Sequence, residues 1–162
     1  MPFDETQFRR AAGAFATGVT IATTLDDANQ PVGMTVNSFA SVSLDPPLVL
    51  WNVRKGCHAY EAFAHSYHFA IHILRSDQQE LCMDFTRPGA EKFGRVQWHG
   101  GRLGSPILEG CVAHFECRTE YRYEGGDHLI VVGRVEELAD CGDIDTLVFH
   151  RGKFRELALE ST

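Results

Sequence analysis

From Cys111 to Arg122 the chain alternates apolar and polar residues: Cys111, Ala113, Phe115, Cys117 and Tyr121 against His114, Glu116, Arg118, Glu120 and Arg122. Extended chains point successive side chains to opposite faces, so the pattern predicts a long strand with one wet face. Glu124-Gly125-Gly126-Asp127 reads as its hairpin turn, and His128 to Glu137 as the return strand, with Leu129, Val131 and Val135 on one face. Upstream, the β-branched and small residues from Val19 to Thr24 lead through the turn cluster Asp26 to Pro31 into a second strand at Val32 to Asn37. Ser38 to Ser43 stays extended, Leu44 to Pro47 is a tight or bent connection, and Leu48 to Val53 is a nearly unbroken apolar strand expected to be buried on both faces. Tyr67 to Leu74, Leu147 to His150 and Lys153 to Leu157 supply further extended pieces.

Helical spacing appears in three places. Asp4 is an N-cap for Phe8, Ala11, Ala12 and Phe15, which predicts an amphipathic helix over 4–16 that Gly18 ends. Tyr60, Phe63 and Ala64 mark a second helix, and Ser76 to Phe85 opens with S-x-x-Q, a capping-box pattern. About seven strands joined mainly by hairpins, with two or three short helices, make a mainly β fold: a small antiparallel β-barrel with helices on its rim. A barrel also removes exposed sheet edges.

Composition narrows the function. The 162 residues are 44% hydrophobic and 23% charged, which suits one domain over 1–162 with its own core and no need of a disulfide or structural metal. A net charge of -7 argues against a nucleic-acid backbone or an anionic membrane as partner. The longest apolar runs, Pro46 to Trp51 and Leu129 to Gly133, are far shorter than a membrane span, and Met1 to Arg10 carries no apolar leader, so a cytoplasmic protein is expected. Five cysteines without a C-x-x-C pair indicate neither a disulfide framework nor a zinc site. His68 and His72 fall about 13 Å apart along one predicted strand, too far to share a metal with His65. Trp51 and Trp98 read as core, and Gly100 to Gly104 lacks the dinucleotide-binding glycine spacing.

Three constellations carry candidate chemistry. Gly33 to Val53 strings Thr35, Asn37, Ser38, Ser41 and Ser43 along extended backbone, where small side chains let a flat ligand approach the main chain. The same residues also suit a solvated strand face. Val53-Arg54-Lys55-Gly56-Cys57-His58 places two cations and a glycine before a helix, as a phosphate site requires, although such a turn is often mere surface. Gly125 to His128 delivers an acid and an imidazole to a hairpin tip, either to meet a ligand or as a polar pair without function.

In this order and spacing the three resemble the flavin reductase family built on the FMN-binding split barrel, the reductase components of two-component flavin-dependent monooxygenases. The resemblance runs from about Phe8 to Phe154, rests chiefly on GMTVNSFASVSLDPPLVLWNV, and is supported by Gly126-Asp127-His128 and by FHRGKF at Phe149 to Phe154. It implies a homodimeric antiparallel split β-barrel that binds FMN or FAD, reduces it with NADH or NADPH, and passes the reduced flavin to a partner monooxygenase. It further implies that Met34, Thr35, Val36, Asn37 and Ser38 lie along the isoalloxazine and that Ser41 and Val42 fix its edge. Asn52, Val53, Arg54, Lys55, Gly56, Cys57, His58 and Ala59 would hold the ribityl and phosphate groups. His128, oriented by Asp127, would be the catalytic residue facing the nicotinamide, with Phe149, His150, Arg151, Gly152 and Phe154 closing the site.

Relatives often carry Ser or Thr in the phosphate loop where this chain has Cys57 and His58; a thiol donates weakly, so the phosphate would lean on main-chain N–H groups, Arg54, Lys55 and His58. Such hydride transfer needs no metal and no protein nucleophile. A barrel that only stores flavin or haem is the alternative.

Overall fold

The computed structural model describes residues 1–158 and 160. In chain order the strands are β1 (Thr17–Gly18), β2 (Thr20–Leu25), β3 (Pro31–Val36), β4 (Ala40–Leu44), β5 (Pro47–Arg54), β6 (His68–Ile73), β7 (Trp98–Gly100), β8 (Pro106–Leu108), β9 (Ala113–Gly125), β10 (His128–Asp140), β11 (Val148–His150) and β12 (Lys153–Arg155). The helices are α1 (Glu5–Ala12), α2 (Tyr60–His65) and α3 (Gln79–Asp84), with one 3-10 turn at Glu91–Arg95.

Seven strands form one antiparallel sheet in the order β3-β2-β6-β9-β10-β5-β4. Its two end strands, β3 and β4, are consecutive in the chain and joined only by residues 37–39. A three-residue link spans at most roughly 14 Å, so the sheet curls until its two edges come within that reach. The β9–β10 hairpin is the longest element, with register shifts at Val132/Gly133 and Val135/Glu137 that bend it around the core.

Two clusters fill the interior. The first packs Trp51 edge-on to Phe63 and Phe69, ring centroids 4.7 and 5.8 Å away, with Val53, Ile71, Cys117 and Val131. Each such side chain gains roughly 1.5–3 kcal/mol from full burial. Gly133 makes the packing possible, since a Cβ there would lie 2.4 Å from the Phe69 ring. The second cluster gathers Ile21, Leu74, Phe85, Phe93, Leu108 and Leu147.

Several sequence expectations change. Asp4 and Gln7 close a reciprocal capping box, but α1 stops at Ala12 with Gly13 as its C-cap, because the Gly13 carbonyl accepts the Arg151 N–H at 2.9 Å and turns the chain away. Gly18 lies in β1. Phe8 and Phe15 are 60% and 80% exposed, so the apolar stripe of this segment does not face the core of its own chain. Ser76 caps nothing: its N–H goes to the Asp145 carbonyl at 2.8 Å, and α3 starts three residues later. Strand β5 alternates instead of being buried throughout, with Val49, Trp51 and Val53 inside and Leu48, Leu50 and Asn52 half-buried.

The polar face of β9 is not uniformly wet. Glu116 is buried beneath the β7–β8 turn, where a Cβ on Gly101 would strike its carboxylate, and it accepts the Leu103 N–H at 3.2 Å. Cys111 precedes the strand and joins the second cluster, while Cys117 sits in the first. Burial pushes their thiols up to about 11 and about 12. Trp98 is 39% exposed, resting against Phe93, because β7 belongs to a separate two-stranded ribbon.

Candidate functional site

The β3–β4 link runs beside a cleft of about 520 Å³ lined by Thr35 and Asn37, by Cys82, Met83 and Thr86 at the end of α3, by Val19, and by Phe149, Gly152 and Phe154 of the β11–β12 hairpin. Thr35 is pinned at its mouth, its N–H donating to the Phe85 carbonyl at 3.1 Å and its hydroxyl to the Cys82 carbonyl at 2.6 Å. Asn37 also lines two neighbouring grooves, one against α1 and Arg151, the other against Phe15 and Phe39. Ser38 accepts the Asn52 N–H at 2.9 Å, which ties the link to β5. Val36 points into the first core cluster and Met34 is packed half-buried against it, so the outward functional groups of this strip are largely main chain, Asn37 and Ser38.

Ser41 and Val42 lie on β4, the free edge of the sheet, at a register shift between Ser41 and Ser43. Edge strands present unpaired N–H and C=O groups, the donors and acceptors that reading a heterocycle edge requires.

The cationic turn begins where β5 ends. Gly56 adopts φ +79°, a left-handed conformation that glycine enters without steric cost, and a Cβ there would meet open space. The Lys55 N–H donates to the Asp127 carbonyl at 2.9 Å, so this turn and the β9–β10 hairpin tip are joined. The Lys55 ammonium is engaged by Glu124, which raises its pKa, leaving Arg54 as the exposed cation of the turn with no carboxylate within 4.0 Å among the described residues. Val53 and Ala59 are fully buried and offer only main chain; Cys57 is half-buried. The α2 helix beyond is six residues long and lacks a side-chain cap.

His128 Nδ1 lies 2.8 Å from Asp127 Oδ1, and this hydrogen bond holds the Asp127 carboxyl below the ordinary range. Across the ladder His128 pairs with Arg54. Directly opposed residues of an antiparallel pair point to the same face, so guanidinium and imidazole share one surface.

In the C-terminal hairpin, Phe149, Gly152 and Phe154 face the main cleft, whereas Arg151, at φ +51°, turns to the groove beside α1. His150 is half-buried and lines none of these three hollows.

Sequence reasoning missed three groups here. Cys82, Met83 and Thr86 reach the cleft only because α3 folds under β3. Thr17 keeps a buried Oγ1 without a hydrogen-bond partner among the described residues, as does Oδ1 of Asn52, which the sequence already placed in the site. Lys92, from the 3-10 turn, lies 3.4 Å from His58. No local pattern marks Lys92 in its segment.

Residues 12–158 match the family described as Flavin reductase like domain. The chain is 48% identical over 147 residues to the FMN reductase (NADH) SmoA of Agrobacterium fabrum, covering 91% of this chain and 83% of that protein. It is 40% identical over 159 residues to HsaB, the reductase subunit of a flavin-dependent monooxygenase from Rhodococcus jostii, covering 98% and 81%. Among solved structures, the Streptomyces globisporus C-1027 NADH:FAD oxidoreductase SgcE6 in complex with NAD and FAD fragments superposes with a TM-score of 0.93 at 37% identity, over 100% of this chain and 98% of that one. Other matched relatives are about twice as long, and the chain spans only 49% and 50% of two of them.

Proposed function

The chain belongs to the flavin reductase-like domain family, and on that premise we propose that it takes a hydride from NADH or NADPH, gives it to FMN or FAD, and supplies the reduced flavin to a partner monooxygenase. It is an NAD(P)H:flavin oxidoreductase of the split-barrel type. The observation that carries the reading is the joining of two ligand surfaces at one corner: Arg54 and His128 are cross-strand partners, and the Lys55 N–H is bonded to the Asp127 carbonyl.

The residues present fit a flavin. Asn52 Oδ1 is a buried acceptor without a partner among the described residues, suited to a ribityl hydroxyl or ring N–H. Gly56 and Gly126, both at positive φ, leave open space beside Arg54 and His128. With both ligands bound, the nicotinamide supplies a hydride and the flavin ring accepts it.

The protein's part is positioning. The backbone of Asn37 and Ser38 and the free edge of β4 fix the ring's polar rim. Asn52 and Arg54 hold the ribityl chain and its phosphate, the latter by charge-assisted hydrogen bonds. Asp127 accepts the Nδ1 proton of His128 and so fixes the imidazole's orientation towards the nicotinamide carboxamide. Phe149 and Phe154, packed edge to face at 5.6 Å, exclude water from one wall of the cleft.

Two copies form the working unit, because Phe3, Phe8 and Phe15 expose apolar surface beside the groove that Asn37 and Arg151 share. No helix among the described residues is long and apolar enough to cross a membrane. The cytoplasm, where thiols stay reduced, suits the free cysteines.

Loss of nucleotide absorbance, measured for NADH and NADPH against FMN and FAD, tests the proposal. No turnover above the protein-free rate in any of the four pairings overturns it.

A further inference from the structure

We propose that Lys92 is the buried anchor of the flavin phosphate, supplying from a distant segment a desolvated charge beside the exposed cation Arg54; this rests on the flavin-reductase reading above. Lys92 is 6% exposed. Its ammonium donates to the Arg87 carbonyl at 2.7 Å, lies 3.4 Å from His58 Nε2, and stands 5.3 Å from the centroid of the Phe85 ring. Among the described residues no carboxylate comes within 4.0 Å of it. A carbonyl dipole, an imidazole lone pair and a ring face each offset only part of the cost of taking an ammonium out of water, and a full anion completes the set.

The surroundings say which anion. His58 belongs to the turn where the phosphate is expected, and desolvation together with Lys92 itself holds its pKa below the usual value. It therefore meets the ammonium as a neutral acceptor. The Phe85 ring under Lys92 packs on Gly33 of β3, where a Cβ would come within 2.7 Å of it. Lys92 thus sits between the strip expected along the flavin ring and the turn expected at its tail. Lys55 is already engaged by Glu124, and Arg54 is solvent-exposed, so neither provides a desolvated charge. A phosphate ester reaching this corner exchanges water for Lys92 without a carboxylate competing.

Fluorescence titration with FMN and with riboflavin, which lacks the phosphate, separates this role from a structural one. Wild type binds FMN at least 10-fold more tightly than riboflavin. Lys92→Met weakens FMN binding by about 10- to 100-fold, the range of a charge-assisted hydrogen bond, and leaves riboflavin within about twofold. Lys92→Arg keeps most of the preference. Equal losses for both flavins make Lys92 structural and overturn the proposal. Should Lys92→Met not fold, wild type and Lys92→Arg still decide: a wild type indifferent to the phosphate refutes it. Failure of this inference leaves an active reductase whose preference for the phosphate does not depend on Lys92, whereas failure of the functional reading leaves no turnover with any flavin.

Discussion

His128 stands opposite Arg54 across the β5–β10 ladder, the two side chains projecting from the same face of the sheet. One corner of the barrel therefore carries both the imidazole assigned to the nucleotide and the guanidinium assigned to the flavin tail.

Their variants should separate the two ligands despite this closeness. His128→Ala is expected to raise KM for the pyridine nucleotide and lower kcat while moving flavin affinity by less than about threefold, since the imidazole is committed to Asp127 and turned to the rim. Arg54→Ala is expected to weaken flavin binding by about 1–2 kcal/mol and leave the nucleotide KM nearly unchanged. Measuring both constants on each protein checks the assignment; the reverse pattern would exchange the two ligands.

Asn52→Val removes a buried acceptor that has no partner among the described residues. Denaturant unfolding of the ligand-free variant should show unchanged or slightly raised stability, because an unsatisfied oxygen costs about 1–3 kcal/mol. Flavin affinity should fall. A variant that lost stability and kept its flavin affinity would mean that Asn52 serves the fold.

Gly33→Ala places a methyl 2.7 Å from the Phe85 ring and 3.1 Å from Phe93. Overpacking of this kind costs about 1–3 kcal/mol. Displacing Phe85 also disturbs the carbonyl that holds Thr35, so flavin affinity should drop with the melting temperature. Wild-type values for both would show that Phe85 moves freely.

His72 gives the fold a defined acid sensitivity. It is fully buried, close to the Ile21 carbonyl through Nδ1 and accepting the Leu108 N–H at 3.0 Å through Nε2, and burial pushes its pKa down to about 3. In the unfolded chain the imidazole titrates near 6.5. Between these values the unfolded state binds the extra proton, so stability is full above about pH 6.5 and falls as the pH drops towards 3, by up to about 1.4 kcal/mol per pH unit. Urea midpoints measured from pH 7 to 4 should trace this slope, and His72→Gln, which can make both hydrogen bonds without titrating, should flatten it.

Phe15→Asp should turn a dimer into a monomer in light scattering at micromolar concentration, and slow flavin reduction with it. The phenyl ring is 80% exposed in a single chain and lines a groove with Asn37 and Phe39. A wild-type monomer of full activity would remove the second copy from the site.

What could be read from the sequence was local. The Asp4 cap and the hairpin turn at Gly126–Asp127 need only neighbours a few residues away, and they stand where the pattern put them; β9 forms as a strand, but Glu116 is buried and Tyr121 exposed against its alternation. Gly13 displaced Gly18 as the end of α1 because the deciding hydrogen bond comes from Arg151. Glu116 looked wet until the β7–β8 turn covered it, and Trp98 looked buried until its strand left the main sheet. The site divides in the same way. Arg54 and His128 were legible as motifs, but their pairing depends on a register between strands far apart in the chain. Lys92 became visible only when α3 and the 3-10 turn brought it under His58.

The sheet that begins at β3 and ends at β4 is joined at its open side by the short link of residues 37–39, which the Asn52 N–H fastens to β5 through the Ser38 hydroxyl. A ligand lying along that side acts as a removable fastener. Its binding free energy is added to the stability of the strands it bridges, about 2.7 kcal/mol at a hundred times Kd, and amide exchange at β3 and β4 should slow by the same factor. Release of product then coincides with loosening of the side through which it departs, so a reductase that must give its flavin away needs no separate lid.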